Sequence, residues 1–179
     1  LPTDLDAQLG YYAFDIMTPI TEGSWRAARA SVDTALSGAA HIASGTGQAA
    51  FSLCRPPGHH AGSNYYGGYC ILNGAAVAAQ FLIDHGMSRI AILDPDYHHG
   101  NGTQDIFYAR NDVLYVSLHA DPATDFPFYT GFADEIGVGD GSGFNLNIPL
   151  ARKTDWPAWA DAYGTAEQRI RDFSPEAVV

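Results

Sequence analysis

Ile90-Ala91-Ile92-Leu93-Asp94-Pro95-Asp96-Tyr97-His98-His99-Gly100-Asn101-Gly102-Thr103-Gln104 is the stretch on which the fold turns. Four apolar residues run directly into two carboxylates, two imidazoles and two glycines. A short apolar run bounded by turn residues reads as a buried strand of a parallel sheet. Open α/β sheets place their ligands at the carboxyl ends of such strands. Asp96 and His98 are two apart, so in extended chain their side chains share one face. An oxygen and a nitrogen donor there make half of a divalent-metal site.

Other readings compete. Asp-x-Asp at a strand end also caps helices. An EF-hand loop opens the same way but requires Gly at its sixth position and Glu at its twelfth, where His99 and Asp105 stand. Adjacent histidines beside two aspartates are poorly explained as packing, so the metal reading is preferred.

Working outward, the flanking segments alternate between strand and helix patterns. Val113–Leu118 reads as a second buried strand, Asn145–Pro149 as a short edge strand, and Pro175–Val179 as the start of another. Helices are expected from Thr21, as N-cap, to about Gly45 or Gly47, over Asn73–Asp84, about Thr103–Arg110 and Trp156–Phe173, the last capped by Asp155. Ala49–Leu53 reads as a further short strand, residues 1–20 as a loop, and 131–143 as a surface loop. No repeat or linker interrupts the pattern, so one α/β domain with a mostly parallel sheet is expected. It begins without an obvious first strand and breaks off at a last one, which reads as an incomplete domain.

A second chemical cluster follows Ala49–Leu53. In Arg55-Pro56-Pro57-Gly58-His59-His60-Ala61 a stiff turn would hold tandem histidines. Solvent-exposed loop histidines are the plain alternative, weakened because both His pairs follow expected strand ends. In Ser63–Cys70, Gly67 and Gly68 permit close backbone approach to a ligand; Tyr69 reads equally as a wall or as core.

The chain has 179 residues, 46% apolar and 16% charged, enough for one well-buried core. Its net charge of −11, with Lys153 the only lysine, argues against nucleic acid and for cationic partners. There is no membrane-length apolar window and no leader-like start. Cys54 and Cys70 are too few for a disulfide scaffold and read as reduced thiols of a cytoplasmic protein.

The two histidine motifs together resemble the zinc-dependent histone deacetylase family, and are most similar to class II-like deacetylases and bacterial acetylpolyamine amidohydrolases. The similarity runs from about Tyr11 to Val179. It implies an arginase/deacetylase-like three-layer fold and zinc-dependent hydrolysis of acetyl-amides by metal-activated water. Residues 1–179 would then be part of a single catalytic domain, with N- and C-terminal portions absent. By resemblance, Asp96 and His98 are two of three zinc ligands. His59 and His60 are the tandem active-site histidines, His60 as general base and acid. Asp94 pairs with the first histidine and Asn101 with the second. Gly68, Tyr69 and Phe126 wall the acyl tunnel. A structural potassium ion would be held by Asp94, Asp96, His98, Ser117 and Leu118. The family's third ligand, an aspartate, and its oxyanion tyrosine have no counterpart in this chain. An aspartate partner favours the charged imidazole more than asparagine does, so His59 should be the more cationic and His60 the better proton acceptor.

The expected substrate is a small cationic acetylated compound or an acetyl-lysine peptide, with neither membrane nor nucleic acid as partner and homo-oligomerisation left open. The competing expectation is a non-catalytic deacetylase-like fragment that binds metal, acetylated ligand or partner chains.

Overall fold

The computed structural model describes all residues, 1–179. Helices α1 (Leu5–Tyr12), α2 (Ser24–Ala43) and α3 (Gly74–Asp84) precede β1 (Ile90–Asp94), α4 (Asn101–Phe107), β2 (Val113–Ala120), β3 (Asn145–Leu150), α5 (Trp156–Phe173) and β4 (Ala177–Val178). The strands form one sheet in the order β3-β2-β1-β4. Every pairing is parallel, with Asp94 opposite Ser117 and Tyr115 opposite Asn145.

Parallel strands need crossovers, and these cover both faces. On one face Ala39, Ala76, Ala79 and Leu82 pack against Ile90, Ile92, Val113 and Tyr115. On the other, Ala166 and Phe173 of α5 meet Ala91, Leu114, Val116 and Leu118. Successive strand residues therefore feed opposite cores, and all eight of β2 are buried. The result is the three-layer α/β sandwich expected. The chain advances β1, β2, β3, then returns across the sheet to place β4 on the other side of β1. This reversal makes the carboxyl end of β1 the switch point at which such sheets form clefts.

Four expectations need correction. Residues 1–20 are not all loop: α1 forms behind an Asp4 cap that accepts from the Ala7 amide, yet it buries no residue, so it carries no apolar periodicity. Thr21 does not cap α2; the cap position is Gly23, while the Ser24 hydroxyl accepts from the Thr21 amide. Helix α4 starts at Asn101 and ends at Phe107 rather than running from Thr103 to Arg110. Ala49–Leu53 joins no strand. Ser52 Oγ bonds the Thr34 carbonyl of α2, Phe51 and Leu53 are 89% and 80% exposed, and a groove of about 660 Å³ lined by Ala49, Ile92 and Ala177 separates the segment from β4. Apolar composition alone cannot supply a pairing edge.

Candidate active site

At the carboxyl end of β1 the backbone turns sharply. Asp94 Oδ1 accepts from the Asp96 amide at 3.2 Å, and Asp96 Oδ1 from the His98 amide at 2.8 Å. These Asx-type turns hold the two carboxylates and His98 around one corner. The His59–His60 loop is clamped against the start of α4, where the Thr103 amide donates to the His59 carbonyl at 3.1 Å. Asn73 completes the clamp. Its Oδ1 caps α3, and its Nδ2 donates to the Ala61 carbonyl and to Thr103 Oγ1.

The tandem histidines lie with ring centres 4.1 Å apart but have different partners. His59 Nδ1 is 2.9 Å from Asp94 Oδ2, which also accepts from the Tyr115 hydroxyl at 3.0 Å. His60 Nδ1 is 2.7 Å from Asn101 Oδ1. Asn101 Nδ2 faces the hydroxyls of Tyr65 and Tyr129 at 3.4 and 3.3 Å, so the amide's oxygen is the atom turned to His60. His60 therefore donates through Nδ1, which leaves Nε2 as a free acceptor.

Burial disfavours charge on both rings. For His59 the hydrogen bond and charge of Asp94 outweigh it, and the pKa is raised. Burial also disfavours the ionised form of Asp94, but the His59 hydrogen bond overcomes it and holds that carboxyl below its usual range. His60 has no such partner. Burial and the neighbouring charge of His59 push it down to about 4.

Phe126 stands edge-on to His60 at 5.0 Å and to His98 at 5.7 Å, and stacks on Phe14 at 5.8 Å. Gly68, at φ +55, passes so close that a Cβ would lie 2.2 Å from His60 Cδ2. Tyr69 is 57% exposed, which removes the core reading. Asp96 and His98 approach within 3.7 Å, side-chain oxygen to Nδ1, and both are partly open to solvent. Their oxygen and imidazole nitrogen suit a borderline divalent ion such as zinc. They are two donors only, for no group of three His, Cys, Asp or Glu converges. Asp94 and Ser117 sit opposite each other, and the Ser117 hydroxyl bonds His119 Nδ1 at 2.8 Å. Leu118 follows in β2.

Several participants were not singled out from the sequence. Asp15 and Thr18 receive the Gly68 and Tyr69 amides at 2.6 and 2.8 Å, more than fifty residues away in the chain. Phe14, Tyr65, Tyr115 and Tyr129 are further omissions. Only Tyr115, a polar-tipped residue inside an apolar strand, carried a local signal.

The Histone deacetylase domain profile matches residues 4–179. The chain belongs to the histone deacetylase family. Among its relatives, acetylpolyamine amidohydrolase 2 of Pseudomonas aeruginosa is 52% identical over 178 residues, covering 99% of this chain and 52% of that protein. The acetylpolyamine amidohydrolase of Mycoplana ramosa is 53% identical over 179 residues, covering 100% of this chain and 52% of that protein. The crystal structure of acetylpolyamine aminohydrolase from Burkholderia pseudomallei superposes with a TM-score of 0.93 at 46% identity, over 96% of this chain and 50% of that one. The arginase-like α/β fold implied by the motifs is therefore the fold of this deacetylase-family chain, which spans about half the length of the curated relatives it matches.

Proposed function

We propose that the chain carries the proton-transfer part of a hydrolytic site for acetyl-amides, within part of a single deacetylase-like catalytic domain. The observation that carries this reading is the unequal pairing of the tandem histidines, His59 with charged Asp94 and His60 with neutral Asn101. Water attacks the acetyl carbonyl while His60 Nε2 takes its proton. The same nitrogen then delivers the proton to the departing amine as the C–N bond breaks, releasing acetate and the free amine. His59, whose pKa burial lowers but the hydrogen bond and charge of Asp94 raise on balance, would stabilise negative charge on the carbonyl oxygen in its protonated form. Gly68, Tyr69 and Phe126 enclose the acyl group and exclude bulk water.

A zinc ion held by Asp96 and His98 would supply Lewis-acid polarisation of the carbonyl at this corner. A potassium ion would draw on Asp94, Asp96, His98, Ser117 and Leu118, for which the Asp94–Ser117 register is the support. Relatives named for acetylpolyamines, together with a net charge of −11, favour a small cationic acetylated substrate over an acetyl-lysine peptide. No helix is long and apolar enough to cross a membrane; a cytoplasmic location is part of the proposal and rests on reading Cys54 and Cys70 as reduced thiols. A second reading, a non-catalytic deacetylase-like fragment that binds metal, acetylated ligand or partner chains without turnover, rests on the two-donor corner of Asp96 and His98.

Turnover and metal content of the full-length protein separate the two. His60→Ala should lose roughly 10²–10⁴-fold in kcat with its metal retained, and His59→Ala should keep more activity. Equal losses, or His60→Ala the more active, would overturn the assigned roles. Ligand binding without turnover by the unaltered protein would establish the second reading.

A further inference from the structure

Behind Asn101, on the side away from the tandem histidines, lies a pocket of about 590 Å³ that the hydrolytic reading does not use. Half of its 12 lining residues are aromatic, and none is Lys, Arg or His. Phe14 and Tyr65 meet edge to face at 5.6 Å, as do Phe14 and Tyr129 at 6.1 Å, so rings stand at different inclinations around one space. Tyr12 and Tyr108 extend the aromatic lining, and two carboxylates, Asp105 and Glu135, complete the charge.

The two carboxylates are not equivalent. Glu135 Oε2 is occupied: it accepts from Gln104 Nε2, Thr130 Oγ1 and the Gly131 amide at 2.6, 2.8 and 2.9 Å. Asp105 is exposed and forms no ion pair. Asp105 itself lines the pocket, and burial first, then the charges of Asp15 and Asp105, push Tyr129 up to about 12. The electron-rich faces of tyrosines attract organic ammonium groups, and an uncommitted carboxylate adds a full countercharge. Neither element would favour an anion or a neutral polar ligand.

We propose that this pocket binds an organic ammonium ion, with the ammonium between Asp105 and the rings of Tyr108 and Tyr129. The site shares Asn101, its two tyrosine partners and Phe14 with the catalytic corner but requires neither histidine. Binding there is therefore separable from hydrolysis.

The test is calorimetric titration of the full-length protein with 1,4-diaminobutane, using 1,4-butanediol as a neutral match in length. The diamine should bind and the diol should not. Asp105→Asn should weaken the diamine by at least roughly fivefold, the value of one solvent-exposed charge contact. Tyr108→Ala should weaken it too, whereas Tyr129→Phe, which keeps the ring, should bind normally. Tyr69→Ala, at an exposed residue outside this pocket that we assign to the acyl tunnel, should leave diamine binding unchanged. If the diol binds equally, the pocket is merely apolar. If Asp105→Asn has no effect, or Tyr69→Ala weakens binding more, the diamine sits elsewhere. Each of these three results overturns the assignment, and none of them bears on the roles of His59 and His60.

Discussion

Asn73 joins three segments that meet at the candidate site, and its replacement tests that geometry. The side chain is 6% exposed. Its oxygen caps α3 through the Ala76 amide at 3.0 Å, while its Nδ2 donates to the Ala61 carbonyl at 3.1 Å and to Thr103 Oγ1 at 3.0 Å. Asn73→Ala removes the cap, worth about 1 kcal/mol. It also orphans two buried acceptors at about 1–3 kcal/mol each. The sum, roughly 3–7 kcal/mol, is comparable with the whole stability of a small domain, about 5–15 kcal/mol. Asn73→Ser keeps a capping oxygen but cannot reach both acceptors, so it should recover only the capping part, about 1 kcal/mol. Urea denaturation of the full-length protein reads both losses as midpoint shifts at constant slope. If alanine costs under about 1 kcal/mol, or serine and alanine cost the same, Asn73 is not the clamp described.

Two further outcomes follow from buried neighbours. Gly68→Ala combines a left-handed φ with a Cβ driven into His60, so turnover should fall sharply while overall stability drops by only about 1–3 kcal/mol; unchanged turnover refutes the contact. Burial pushes His99 down to about 3, and lowers His119, from their ordinary 6.5. The folded state then binds fewer protons than the unfolded state, so the stability tied to their neutral forms is complete above about pH 6.5 and declines below it. Each histidine contributes up to about 1.4 kcal/mol per pH unit. Midpoints measured between pH 7.5 and 5 should fall, and a flat profile would refute it.

The parts of the fold that bury apolar surface were legible in the sequence. β1 and β2 show as uninterrupted apolar runs because both faces are covered, and α2 and α5 show helical periodicity because one face is. Helix α1 lacked that signal because it buries nothing. Ala49–Leu53 had a strand's composition, but pairing is a property of neighbours, and this segment is held by a helix instead. At the site, Asp96, His98 and the tandem histidines announced themselves by residue type. The hydroxyls of Tyr65 and Tyr129 did not, because their role in orienting Asn101 arises only when chain segments 28 to 36 residues apart meet.

The glycines of the two histidine motifs are a sharper instance. Read locally, Pro-Pro-Gly and Gly-Asn-Gly are turn signals, and a turn would ask only for backbone freedom. Yet Gly58, Gly100 and Gly102 all lack a positive φ, so left-handed geometry does not explain them. Their requirement is steric. A Cβ on Gly102 would lie 2.3 Å from the Ala61 carbonyl oxygen, and one on Gly58 would lie 2.7 Å from the Gly74 amide nitrogen, backbone against backbone in both cases. On Gly100 it would lie 2.4 Å from Asp94 Oδ2 and 2.5 Å from the Tyr115 hydroxyl, inside the hydrogen bond that holds the carboxylate. The histidine loop, the cap of α3 and the first turn of α4 thus stand closer than any side chain permits. That closeness lets His59 reach Asp94 and His60 reach Asn101 at hydrogen-bonding distance, across sequence separations of 35 and 41 residues.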